Sequence, residues 1–164
     1  MLKQVYISIL AIDPESKDPI VILKEVDGER TVPIWIGLLE AQAIASVLEG
    51  VTFSRPMTHD LIKSVIDSIE VKVNRIVVSD LKDNTFFALI SIDHKGRELS
   101  IDARPSDALA LSVRVKAPIF VSEDVLKASE KIDLQPRRNP TKGHPGKNWQ
   151  EILEKSNLDD PEDT

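Results

Sequence analysis

The sequence predicts an α+β domain: a mainly antiparallel twisted sheet built from hairpins, packed with about three main helices. Three observations carry that expectation. Runs of alternating polar and apolar residues are bounded by turn residues, which is strand chemistry. Three stretches place apolar residues at helical spacing, two of them closed by glycine or proline. The strands follow one another as hairpins rather than alternating with helices, which disfavours a parallel βαβ architecture. At 164 residues, 41% hydrophobic and 29% charged, the chain is long enough for one sizeable core.

Residues 2–12 put Val5, Ile7, Ile9 and Ala11 on one face and Tyr6, Leu10 and Ile12 on the other, as in a strand covered on both sides. The turn residues of 13–19 then return the chain into Ile20–Leu23. Asp27-Gly28 turns it again into a third strand over 30–36, whose Pro33 places it at an edge or a bulge. Residues 38–49 have helical spacing closed by Gly50. A second helix is expected from a Thr58 cap to Ile69, with Leu61, Ile62, Val65, Ile66 and Ile69 as a continuous apolar stripe. Alternation resumes over 71–81, Asp83-Asn84 turns the chain into 86–92, and Lys95-Gly96 turns it into a strand ending near 101. The third helix is expected from a Ser106 cap to Lys116, stopped by Ala117-Pro118. Ile119-Phe120-Val121 reads as a short buried strand, and Ser122-Glu123-Asp124 as the cap of a brief helix.

This organisation predicts a domain over 1–132 and a flexible charged tail over 133–164, with a short helix near 148–156. Prolines and glycines between 135 and 147 mark a linker, and the tail is basic, then acidic. The net charge of −6 argues against a protein that coats nucleic acid nonspecifically, because polyanion affinity comes largely from lysine and arginine. The absence of cysteine removes disulfides, thiolate zinc sites and cysteine nucleophiles, and fits a reducing compartment. No apolar run reaches the roughly 18 residues of a spanning helix, and the N-terminus lacks a signal-peptide core. A cytoplasmic location without membrane association is the expectation.

Chemistry concentrates at two helix starts. Residues 101–109 place Asp102, Arg104 and Asp107 where a strand enters a helix and backbone donors are free. Residues 55–61 repeat the pattern, with Arg55-Pro56, a hydroxyl residue, His59 and Asp60. His59 has the chemistry of a base, acid or ligand. Asp60, adjacent on a helix, cannot face the same way. Asp102 and Asp107 are candidate ligands for magnesium or manganese, and Arg104 would stabilise charge developing on a phosphoryl group. The bland reading of the same residues is capping and internal ion pairs. Asp83 stands at a hairpin tip, Glu40 early in the first helix, and Trp35 is a core or rim aromatic. Phosphate-loop, dinucleotide, zinc-peptidase and serine-hydrolase motifs are absent.

Five ordered blocks, at 32–37, 55–61, 81–88, 101–108 and 117–121, resemble the bifunctional nuclease (BFN) domain family over residues 1 to about 130. That resemblance implies a compact α+β domain that assembles with copies of itself, and nuclease activity on RNA and DNA. The combined expectation is hydrolysis of phosphodiester bonds, with nucleic acid as substrate. Catalytic candidates are His59, Asp60, Asp83 and Arg104, and metal candidates are Asp102 and Asp107. The rival is a noncatalytic homo-oligomeric module that binds an anionic ligand or a protein partner.

Overall fold

A computed structural model describes residues 1–132 and 149–154. Its seven strands are β1 (Leu2–Ile12), β2 (Pro19–Glu25), β3 (Thr31–Trp35), β4 (Val71–Lys82), β5 (Thr85–His94), β6 (Arg97–Ala103) and β7 (Ile119–Ser122). Helices α1 (Leu38–Leu48), α2 (Thr58–Ser68) and α3 (Pro105–Val115) have 11 residues each. Two shorter helices accompany these three main ones, α4 (Glu123–Ser129) and a helical segment over 149–154, here α5.

All strands join one sheet in the order β3-β2-β1-β7-β4-β5-β6. Neighbours pair antiparallel except β4 and β7. That parallel pair exists because the chain leaves β4, completes the β5–β6 hairpin and α3, and returns beside β4 through β7. Pro33 lies on β3 at one edge, where a missing N–H costs least. The β4–β5 and β5–β6 turns use two-residue loops with positive φ, Asp83 and Asn84 in one, Lys95 and Gly96 in the other. This backbone matches the turn that hairpin twist favours.

The helix starts differ from the expected caps. Met57 is the N-cap of α2, and Asp60 Oδ2 accepts from its backbone N–H at 3.0 Å, so Thr58 is the first helical residue. Arg104 is the N-cap of α3, and Pro105 takes the first helical position, where its missing N–H is no loss. Ser106 therefore lies inside the helix and does not cap it. The expected Ser122 cap does form, its Oγ accepting from Val125 N–H at 3.3 Å.

The main core joins Val21, Leu23 and Val32 of the sheet to Ala41 and Ile44 of α1, Leu109 and Ala110 of α3, and Leu126 of α4. Small alanines let α3 sit close to α1 and to β4 and β5. The linker expected over 135–147 lies outside the described residues. In α5, Trp149 and Leu153 are buried in the main core, and the Trp149 indole donates to Leu10 O at 3.2 Å. The apolar stripe of α2 is not used in this way. Leu61, Ile62, Val65 and Ile69 are 57%, 39%, 51% and 52% exposed.

Candidate active site

Both Arg-Pro segments deliver an extended residue followed by a helix, with φ/ψ of −81°/175° at Met57 and −67°/144° at Arg104. Because α2 packs against α3, the two starts meet. His59, in the first turn of α2, is 7% exposed, and its Nε2 lies 3.0 Å from Asp107 Oδ1 in the first turn of α3. Arg104 closes the group by donating from Nε to Asp107 Oδ2 at 2.8 Å and from Nη2 to Oδ1 at 3.2 Å. Its Nη2 also pairs with Glu40 Oε1 of α1 at 3.0 Å. Gly37 makes room for that last contact, since a Cβ there would collide with the Glu40 carboxylate.

Burial pushes the Asp107 carboxyl upward, but its bonds to Arg104 and then His59 outweigh this and hold it below the ordinary carboxylate value. The Asp107 bonds in turn raise the Arg104 guanidinium. An ionised carboxylate can only accept, so His59 Nε2 carries the proton in this contact. In a neutral imidazole the lone pair then resides on Nδ1, which has no hydrogen-bond partner among the described residues. The Nη1 group of Arg104 likewise retains its N–H donors. These three residues wall a cavity of about 440 Å³ together with Glu40, Arg114, Gln42 and the apolar Leu39, Phe53 and Met57.

A second ion pair fixes this arrangement from behind. Asp60 Oδ1 accepts from Arg114 Nε at 2.7 Å, and Arg114 Nη1 donates to Ala43 O and Ala110 O, both at 2.8 Å. One guanidinium thus ties α2 to α1 and α3. Burial raises the Asp60 carboxyl, and the Arg114 and Met57 bonds more than reverse that, leaving it lowered.

The structure therefore brings together His59, Arg104, Asp107 and Glu40, but not the other candidates. Asp60 faces Arg114 and is not in the wall of this cavity. Asp83 is exposed at the β4–β5 turn. Asp102 is exposed on β6 opposite Leu89. Its neighbour Ala103 packs with Ile76, Ala88 and Ala108 on the α3 side of the sheet, so strand alternation turns Asp102 to the other face. A divalent ion shared by Asp102 and Asp107 does not fit this geometry, because both Asp107 oxygens already accept from Arg104 or His59. Among the described residues no group of three or more His, Asp or Glu is placed to hold a metal.

Sequence reasoning missed Arg114. Its signal was its position seven residues after Asp107, which puts both on one face of a helix whose other neighbours are apolar. The apolar wall from Phe53 and Met57 carried no comparable signal, because these residues flank a loop and meet α1 only in the folded chain.

A model of the bifunctional nuclease domain matches residues 21–133. An uncharacterized protein of Mycobacterium tuberculosis is 39% identical over 117 residues, which cover 71% of this chain and 70% of that protein. Bifunctional nuclease 2 of Oryza sativa subsp. japonica is 25% identical over 130 residues, 76% of this chain and 40% of the relative. Bifunctional nuclease 1 of Arabidopsis thaliana is 28% identical over 109 residues, 64% of this chain and 34% of the relative.

Proposed function

The chain belongs to the bifunctional nuclease domain family, and from that premise we propose that its α1–α2–α3 cavity hydrolyses phosphodiester bonds in RNA and DNA. The observation that carries this reading is the His59–Asp107 contact of 3.0 Å beside Arg104. Asp107 holds the imidazole in the tautomer whose Nδ1 is basic, the arrangement a general base requires. Because DNA lacks a 2′-hydroxyl, one mechanism for both substrates uses water as nucleophile. Nδ1 takes a proton from water as its oxygen bonds to phosphorus. The bond from phosphorus to the leaving ester oxygen breaks, and that oxygen recovers a proton from the imidazolium, restoring the neutral ring. Arg104 Nη1 donates to the non-bridging oxygens as their charge grows.

No step is routed through magnesium or manganese, since Asp102 and Asp107 do not form a joint donor set. The test is cleavage of single-stranded RNA and DNA by protein freed of metal with a chelator. Cleavage that persists and is lost in His59→Ala supports the reading. Cleavage that requires added metal, or survives in folded His59→Ala, rejects it.

The rival noncatalytic module draws support from the pairing of Arg104 with two carboxylates, which is also what a structural ion pair looks like. Self-association accompanies either reading and is favoured by the uncovered α2 stripe. A cytoplasmic setting suits a chain without cysteine. No helix among the described residues is long and apolar enough to cross a membrane.

A further inference from the structure

We propose that a second cavity, on the other side of Arg104, binds the neighbouring phosphate and base of a single-stranded polynucleotide while the first cavity acts on the scissile bond. This rests on the nuclease reading and extends it from a bond to a strand. The cavity has a volume of about 400 Å³. Its walls are the end of β3 with Trp35, the β4–β5 hairpin with Asn84 and Phe86, and the start of α3 with Arg104 and Ser106. Arg104 walls both cavities, so a chain of phosphates entering one is presented to the other by a shared guanidinium.

The α3 start is built for an anion. First-turn N–H groups have no intrahelical partner, and the helix dipole adds positive potential there. No side chain caps this end, because Asp107 turns its carboxylate to His59 and Arg104. Ser106 supplies the independent observation. It is 6% exposed, yet its hydroxyl has no hydrogen-bond partner among the described residues. Nor is it sealed from solvent, since Ser129 Oγ is the sealed unpaired side-chain atom found among those residues. A buried hydroxyl left open beside an arginine and free amides suits a phosphate oxygen.

The opposite wall suits a base. Trp35 is 42% exposed although Val32 and Ile34 on the same strand are buried. Asp18 stands at this end, where Ile36 N–H donates to the adjoining Pro19 O at 3.0 Å. A carboxylate repels phosphate and accepts from base amino groups, which assigns phosphate to the Ser106 end and base to the Trp35 end. Stacking tolerates any base and either sugar, matching a substrate that is RNA or DNA.

The experiment compares a dinucleotide, with one phosphodiester, and an octanucleotide, using wild type, Ser106→Ala and Trp35→Leu. Each variant should raise KM for the octanucleotide about five- to tenfold, with kcat held and dinucleotide cleavage unchanged, the scale of one stacked base. Equal effects on both substrates, or none on either, overturn the proposal. Direct binding separates it from the nuclease reading. In the His59→Ala protein the octanucleotide should quench Trp35 fluorescence, while Trp149, 2% exposed, stays unquenched. Quenching with no cleavage by wild type would retain the subsite and reject the nuclease reading. Absence of quenching, or equal quenching by inorganic phosphate, overturns the strand subsite.

Discussion

His59 and Asp107 are 48 residues apart and on different helices, yet Nε2 and Oδ1 meet at 3.0 Å because each occupies the first turn of a helix that starts beside the other. The two starts share a sequence pattern but use their acids differently. Asp60 returns to its own N-cap and to Arg114, whereas Asp107 reaches across to the histidine. One acid fixes the packing and the other orients the imidazole.

That division predicts unequal costs for two substitutions at the dyad. His59→Ala removes the proposed proton acceptor and should lower kcat by about 10²–10⁴-fold, the usual range for general base catalysis. Asp107→Asn keeps size and shape but loses the acceptor that fixes the tautomer. It should lower kcat by less than His59→Ala. Steady-state kinetics on folded variants checks both, and an Asp107→Asn kcat equal to that of wild type would remove Asp107 from the positioning role.

Arg114 is a stability prediction. Its side chain is 4% exposed and serves Asp60 and two backbone carbonyls. Arg114→Met leaves those carbonyls and the carboxylate without their donor. Losing a partner in a fully buried pair costs about 3–5 kcal/mol. The Asp60 side chain is 39% exposed, so water recovers part of this and about 2 kcal/mol is expected. The urea midpoint should fall with an unchanged m-value.

Acid should expose the same contacts. Asp60 and Asp107 both lie below their ordinary value of 3.8 in the folded chain. A lowered folded value means the unfolded chain takes up the proton first as pH falls. The stabilisation is therefore complete above 3.8 and disappears as pH drops through the folded values. The melting-temperature gap between wild type and Asp60→Asn should be widest near neutral pH and narrow progressively as pH falls below 3.8 and through the folded value. A gap that widens on acidification would contradict the assigned direction.

Strands and helices were legible because their periods are local: alternation over β1 and β4, turn pairs at Asp83-Asn84 and Lys95-Gly96, and the Gly50 stop all act within a few residues. The place of β7 was not, since Ile119-Phe120-Val121 carries no sign that it will lie between β1 and β4. At the site, residue types identified His59, Arg104 and Asp107 as candidates. Their partners depended on how α2 lies across α3, which no spacing encodes. Asp102 misled because sequence proximity to Asp107 hides the change from strand to helix, where alternation sends the two carboxylates to different faces.

The uncovered stripe of α2 supplies the last prediction. An amphipathic helix ordinarily turns its apolar face to the core, because burying a Leu, Ile or Val side chain contributes about 1.5–3 kcal/mol. Here α2 is held at its N-terminus by His59 and Asp60, and Leu61, Val65 and Ile69 are more than half exposed. Contiguous apolar surface of this kind marks an interface, and a closed dimer would bring the same stripe from two chains together. Sedimentation velocity should therefore show an oligomer for wild type and a monomer for the double variant Leu61→Glu, Val65→Glu. Both positions face solvent, so the variant should retain its far-UV circular dichroism and melting transition. A monomeric wild type at micromolar concentration, or a variant of unchanged size, would show that the stripe does not join copies of this chain.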